Sequence, residues 1–161
     1  MTNLNDVLAQ SKVELEVMII EKKAVIENDR LPTIKVIPFQ VQQLFNNLLN
    51  NALKFSKKDV SPHIIVRSEM VDGRALPAAY AAAPTVYCHI SFRDNGIGFE
   101  PEYEKKIFEV FQRLHGRGDY GGTGIGLAIC KKIVENHNGF LTAESLPDQG
   151  ATFHIYLPIV Q

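Results

Sequence analysis

Gln43-Leu44-Phe45-Asn46-Asn47-Leu48-Leu49-Asn50-Asn51-Ala52-Leu53-Lys54-Phe55 reads as an amphipathic helix with an unusual polar side. At 3.6 residues per turn, Leu44, Leu48, Ala52 and Phe55 share one face, and Asn47, Asn50, Asn51 and Lys54 share another. Asparagine is a poor helix former because its amide competes for backbone hydrogen bonds. Asn46, Asn47, Asn50 and Asn51 therefore go against local propensity. A solvated polar face is the plain alternative. A row of amide oxygens facing a hard cation and its phosphate ligands gives the cost a reason, since Mg²⁺ prefers oxygen donors and keeps several waters.

Two glycine-bearing segments lie further along. Arg93-Asp94-Asn95-Gly96-Ile97-Gly98-Phe99 follows a β-like run. An Asp at a strand end can accept a hydrogen bond from an exocyclic amine such as that of adenine, and glycines let backbone approach a flat ligand. Taken alone, the segment could equally be an ordinary turn. Gly121-Gly122-Thr123-Gly124-Ile125-Gly126-Leu127-Ala128-Ile129-Cys130-Lys131-Lys132 is a glycine-rich loop that runs into a helix. Free N–H groups and the positive end of the helix dipole favour phosphate there. It lacks the Gly-Lys-Ser/Thr ending of the P-loop and the βαβ context of a dinucleotide fingerprint.

The rest of the chain alternates between the two structural periods. The pattern predicts helices over 5–21, 39–55 and 123–136, and a short helix-like piece over 102–111. Strands are expected over 24–27, 33–37, 63–69, 86–93, 140–145 and 152–157, with turn chemistry at Asn28-Asp29-Arg30-Leu31-Pro32 and His137-Asn138-Gly139. Residues 71–84, with Gly73, Pro77, Pro84 and many alanines, read as a hairpin insertion.

Composition bounds the function. The chain has 161 residues, which fits one domain, with 45% hydrophobic and 22% charged residues. A net charge of −1 and a pI near 6.5 speak against a general nucleic-acid or membrane-surface binder. A polyanion such as ATP would need a local set of donors. Cys88 and Cys130 sit in apolar runs without metal-ligand spacing and read as buried small hydrophobes. No stretch resembles a signal peptide or approaches 18 apolar residues, so the expected location is cytoplasmic, with any membrane anchor outside this chain.

The three segments, in this order and with Ile107-Phe108-Glu109-Val110-Phe111 between the last two, resemble the N, G1, F and G2 boxes of the GHKL ATPase/kinase superfamily. Within it the chain is most similar to the catalytic domain of sensor histidine kinases. Phe111-Gln112-Arg113-Leu114-His115 and the run from Gly122 to Lys132 look like phytochrome-type kinases. The likeness extends to Gly150-Ala151-Thr152-Phe153 and Leu157-Pro158. It implies an α/β two-layer sandwich of the Bergerat type, with a mixed sheet of about five strands and three main helices on one face. It also implies one catalytic domain over 1–161, in which residues 1–22 include the end of a preceding linker and 112–121 form an ATP lid.

By this resemblance the cofactors are ATP and Mg²⁺. Asn51 would coordinate the metal, Asn47 would line the γ-phosphate, and Lys54 would contact phosphate; Asn47 and Lys54 are the candidate catalytic residues. Asp94 would accept from adenine, with Gly96 and Gly98 shaping the base pocket and Thr152 lining it. Arg113 of the lid would offer charge, and Gly122, Thr123, Gly124, Gly126 and Leu127 would cradle the phosphates. ATP-hydrolysing members carry a Glu where this chain has Asn47, and an amide cannot serve as general base for water. Transfer to a nucleophile that brings its own basicity remains open, because phosphoryl transfer rests on positioning and charge stabilisation.

None of His63, His89, His115, His137 and His154 has the context of the family's phosphoacceptor. The acceptor is therefore expected on a separate dimerisation domain, in cis or in trans, with a response regulator receiver domain downstream. Rival readings are a serine/threonine kinase of the same fold, a nucleotide-binding module without catalysis, and a gyrase-like ATPase.

Overall fold

The computed structural model describes residues 1–77, 86–109 and 125–159. Its elements, in chain order, are β1 (Thr2–Asn3), α1 (Leu4–Glu14), α2 (Glu16–Glu21), β2 (Val25–Asn28), β3 (Thr33–Ile34), α3 (Pro38–Lys54), β4 (His63–Asp72), β5 (Val86–Asp94), α4 (Gly126–Asn136), β6 (Phe140–Ser145) and β7 (Ala151–Pro158). Five strands form one mixed sheet in the order β2-β4-β5-β7-β6. Only the β2–β4 pair is parallel; the pairs β4–β5, β5–β7 and β6–β7 are antiparallel. This is the two-layer α/β arrangement expected from the resemblance.

Strand alternation decides which side is covered. Cys88, Ile90 and Phe92 of β5 and Phe153, Ile155 and Leu157 of β7 are buried in one core with Leu44, Phe45, Leu48 and Leu49 of α3 and Cys130, Ile133 and Val134 of α4. Phe45 meets Phe92 edge-on, with ring centroids 5.2 Å apart. The opposite face is closed by its own rings. His89 stacks on Tyr156 at 4.4 Å, Tyr156 on Phe140 at 4.5 Å, and Tyr87 meets Phe140 edge-on at 5.7 Å. His89 Nε2 lies 2.8 Å from His154 Nδ1, with Glu69 and Glu144 on the outer nitrogens of the pair.

Helix α3 starts at Pro38, whose missing N–H is harmless in a first turn. Gln42 donates to Val7 O and Ser11 Oγ, and Asn46 donates to Glu14, so the side of α3 next to α1 is also polar. Asn46 thus belongs to helix packing, whereas Asn47 lies on the α4 side.

The N-terminal helix expected over 5–21 is two helices. Leu15, at φ −102° and ψ 10°, separates them. The bend keeps Leu15, Met18 and Ile19 against the core beyond the end of the straight α1 seam of Leu4, Val7 and Leu8. Asn3 caps α1 by accepting from Asn5 N at 3.0 Å. Asn5 in turn holds the following loop, donating to Leu31 O at 2.7 Å and accepting from Leu31 N at 2.8 Å. Asn3→Ala is expected to destabilise the fold by about 1 kcal/mol in urea unfolding, with no change in ligand affinity.

The strands expected around the Asn28–Pro32 turn do not pair with each other. β2 lies parallel to β4, and β3 pairs with β1. The helix-like piece over 102–111 consists, in its described part, of two 3₁₀ turns, Pro101–Tyr103 and Lys106–Phe108. Their buried contribution is Ile107 and Phe108, too few apolar positions to sustain a helical stripe. The start of the hairpin insertion is ordered by Asp72, which accepts from Arg74 N at 2.9 Å and pairs with its guanidinium at 2.7 Å. No helix among the described residues is long and apolar enough to cross a membrane.

Candidate functional site

Asp94 is the last residue of β5, on the same side of the sheet as Phe92 and Ile90. Its Oδ1 accepts from Gly96 N at 2.9 Å and from Ala151 N at 3.2 Å. Burial pushes the carboxyl up to about 6, and the N–H groups of Gly96 and Ala151 pull the other way without cancelling it. A carboxylate left this poorly solvated has capacity to accept from a ligand.

The surrounding backbone leaves no room for side chains. A Cβ on Gly96 would lie 2.4 Å from Phe55 O and 3.0 Å from Asp94 Oδ1. Gly98 and Gly150 both have positive φ, at +65° and +81°, and a Cβ on Gly150 would lie 2.0 Å from Asp94 O. Ile97 N donates to Phe55 O at 3.0 Å, and Asp148 N donates to Ile97 O at 2.7 Å. Ser145 Oγ accepts from Phe99 N at 2.9 Å and donates to Gly150 O at 2.7 Å. The segment after β5 is thereby sewn between the end of α3 and the β6–β7 turn.

Asn47, Asn51 and Lys54 follow one another along the last turns of α3, all half-buried. Asn47 Nδ2 donates to Gly126 O, the first residue of α4, at 3.3 Å. Its side chain also bonds Cys130, one turn further along α4, where burial pushes the thiol up to about 12. A thiol that weakly acidic is no nucleophile, and both Cys88 and Cys130 are buried and free, as their apolar context indicated. Lys54 Nζ sits 5.8 Å from the Phe55 ring centroid. Among the described residues, nothing lies within 4 Å of the position a Cβ would take on Gly126.

The fold therefore brings Asn47, Asn51, Lys54, Gly126 and Leu127 to one side of the α3–α4 layer, and Asp94, Gly96 and Gly98 to its floor. Arg113, Gly122, Thr123, Gly124 and the lid over 112–121 lie outside the described residues. Thr152 does not join this set. It pairs with Arg93 and Glu144, and alternation turns it to the face opposite Ala151 and Phe153, away from the helices. Its neighbour Ala151 supplies the contact instead, through backbone N–H. The sequence signal for this position is the Gly150-Ala151-Thr152-Phe153 motif.

The histidines are all engaged where they are described. His137 is buried, with Nδ1 bonded to Ile133 O at 2.7 Å and Nε2 accepting from Ile37 N at 3.0 Å. It staples the end of α4 to the start of α3. His63 pairs with Glu27 at 3.2 Å, and His89 and His154 pair with each other.

Residues 37–161 match the family of histidine kinase-, DNA gyrase B- and HSP90-like ATPases. Cyanobacterial phytochrome A of Nostoc sp. is 38% identical over 179 aligned residues, covering 98% of this chain and 22% of that protein. Phytochrome-like protein Cph1 of Synechocystis sp. is 37% identical over 158, covering 98% of this chain and 19% of that protein. The chain thus spans about a fifth of the length of these curated relatives. Among solved structures, the mycobacterial sensor histidine kinase MprB superposes with a TM-score of 0.75 at 24% identity, covering 98% of this chain and 95% of that one. That likeness establishes the shared fold.

Proposed function

The chain belongs to the histidine kinase-, DNA gyrase B- and HSP90-like ATPase family, and on that premise we propose that it binds ATP–Mg²⁺ and donates the γ-phosphoryl group to a histidine on a dimerisation domain outside this chain. The observation that carries the reading is Asp94: a half-buried carboxylate at a strand end, held by two backbone donors and close to Gly96, Gly98 and Gly150. It is suited to accept the adenine amino hydrogen, and the absence of Cβ atoms keeps the pocket flat.

The phosphates extend from that floor toward α4. Gly126 and Leu127 offer first-turn N–H groups and the positive end of the helix dipole, and Lys54 adds charge from α3. The resemblance would add Gly122, Thr123, Gly124 and Arg113, which lie outside the described residues. Asn51 presents a hard amide oxygen, which fits Mg²⁺ when phosphate and water supply its remaining ligands. Bound there, the ion would neutralise charge developing on the β- and γ-phosphates. Asn47, anchored on Gly126 O, keeps α3 and α4 in fixed relation beside the γ-phosphate.

In the reaction, the bond between the γ-phosphorus and its bridging oxygen breaks, ADP departs, and a phosphorus–nitrogen bond forms on an incoming imidazole. The imidazole lone pair needs no base from this chain, which matches an amide rather than a carboxylate at Asn47. A receiver-domain aspartate would take the phosphoryl group next. Incubating the chain with γ-labelled ATP, Mg²⁺ and the histidine-bearing helix pair of a related sensor kinase tests the reading. Acid-labile, alkali-stable label on the helix pair is the expected result; nucleotide binding with no transfer favours a binding module.

Asn51→Ala is expected to weaken ATP binding about tenfold in the presence of Mg²⁺ and hardly at all in EDTA. Calorimetry with and without the metal reads this directly. Equal losses in both conditions would remove Asn51 from the metal site.

A further inference from the structure

Asn51 and Lys54 stand on the part of a helix that is hardest to keep in place. Both lie in the last turn of α3, which stops at Lys54. The final carbonyls of a helix have no partner within it, and an end turn frays unless other groups donate to them. Donors from separate parts of the chain reach this end. Phe55 N donates back to Asn51 O at 3.0 Å, and Ile97 N donates to Phe55 O at 3.0 Å. Lys22 adds a charged one: its Nζ donates to Leu53 O at 2.6 Å and to Ser56 Oγ at 3.1 Å. Ser56 is buried and Lys22 half-buried. An ammonium in this place also meets the negative end of the helix dipole.

The way α2 ends brings Lys22 here. Lys22 is its C-cap, and Lys23 follows at φ +55°. Lys23 N donates to Ile20 O at 3.1 Å, and Ala24 N donates to Ile19 O at 2.9 Å. This is a Schellman closure with lysine in the left-handed position that glycine usually takes. Val25 N then donates to Pro62 O at 2.9 Å as the chain enters β2, while Met18 and Ile19 pack on the core. The stem of Lys22 is therefore fixed at its base as well as at its tip. We infer that Lys22 is a positioning residue, acting through α3 rather than on the nucleotide. It holds the last turn, and with it Asn51 and Lys54, against the floor that Phe55 and Ile97 form. The inference rests on the ATP–Mg²⁺ reading above. It concerns the phosphate end alone, because Asp94 is held by its own bonds to Gly96 N and Ala151 N.

Lys22→Met keeps the aliphatic stem and removes the donors. Titrating the whole chain with ATP–Mg²⁺ by calorimetry, and with adenosine by ligand-observed NMR, separates the two ends of the site. ATP–Mg²⁺ affinity is expected to fall about fivefold, with adenosine affinity unchanged. Lys22→Arg can still donate to Leu53 O and is expected to restore ATP–Mg²⁺ binding. Hydrogen exchange at the Lys54 and Phe55 amides should quicken in Lys22→Met and return to the parent rate in Lys22→Arg. Ser56→Ala loosens the same contact without removing charge and should weaken ATP–Mg²⁺ binding about twofold; it carries the test where Lys22→Met does not fold. Parent-like ATP–Mg²⁺ affinity in these variants overturns the proposal. So does an equal loss for adenosine, which would make Lys22 a stabiliser of the whole domain, or an arginine variant as weak as the methionine one. A parent that binds no ATP defeats the ATP reading itself and this inference with it, whereas a parent that binds ATP no better than Lys22→Met defeats this inference alone.

Discussion

Asp94→Asn is expected to weaken ATP binding about 100-fold and, at the same time, to raise the melting temperature of the nucleotide-free protein at neutral pH. The two effects share one cause. Desolvation at this half-buried position holds the carboxyl up at about 6 in the fold, against 3.8 in the unfolded chain. The folded state therefore holds more protons than the unfolded state between those values, and stability falls as pH rises through that window. Above it, the ionised group costs the fold on the order of 3 kcal/mol, a cost that binding an adenine amine offsets. Asparagine can still accept from Gly96 N and Ala151 N but carries no charge to desolvate. The stability gain should be present at pH 7, shrink as the pH falls below about 6, and vanish below about 4. ATP affinity of the parent should fall over the upper part of the same range, as Asp94 gains a proton. Scanning calorimetry across pH, paired with ATP titration, reads both. A variant less stable at every pH, with ATP affinity intact, would give Asp94 a merely structural role.

Much of this site is legible in sequence because the constraints on it are local. The asparagine row on α3 stands out as a polar stripe against helix propensity, and Asp94 stands out at the end of an alternating run with glycines after it. What escapes is set by long-range register. That Ala151, not Thr152, reaches Asp94 depends on how β7 aligns with β5, where Thr152 faces Arg93. That Asn46 serves α1 while Asn47 serves α4 depends on which helix packs on each side of α3. The bend at Leu15 and the parallel pairing of β2 with β4 are likewise solutions to packing on the sheet. Local propensity contains no term for either. The glycines sit between these cases: Gly96 and Gly98 follow a strand-end Asp in sequence, whereas the enclosure of Gly150 by Asp94 O depends on how β7 lies beside β5.

Gly150→Ala is expected to cost about 4 kcal/mol or more, a large share of the 5–15 kcal/mol that holds a typical domain together. Two penalties coincide at this position. Its φ of +81° disfavours any L side chain, and the new Cβ would lie 2.0 Å from Asp94 O and 2.8 Å from Asp94 C. The atoms it meets are main chain of a strand residue paired with Ile64 of β4, so no side chain can rotate aside. Relief would require the β6–β7 turn to back away, breaking the bond from Ser145 Oγ to Gly150 O and the bond from Ala151 N to Asp94. The same displacement opens the pocket floor, so ATP affinity should fall with stability. Gly126→Ala is the matched comparison for stability: no atom of the described residues lies within 4 Å of its Cβ position, and it begins a helix. That change should leave the unfolding midpoint unmoved or raise it by the equivalent of about 0.5 kcal/mol. Urea unfolding of both variants separates a steric demand at Gly150 from a general intolerance of Gly→Ala. A Gly150→Ala protein within about 1 kcal/mol of its parent would mean that the turn yields, and that Asp94 is held less rigidly than its two backbone bonds imply.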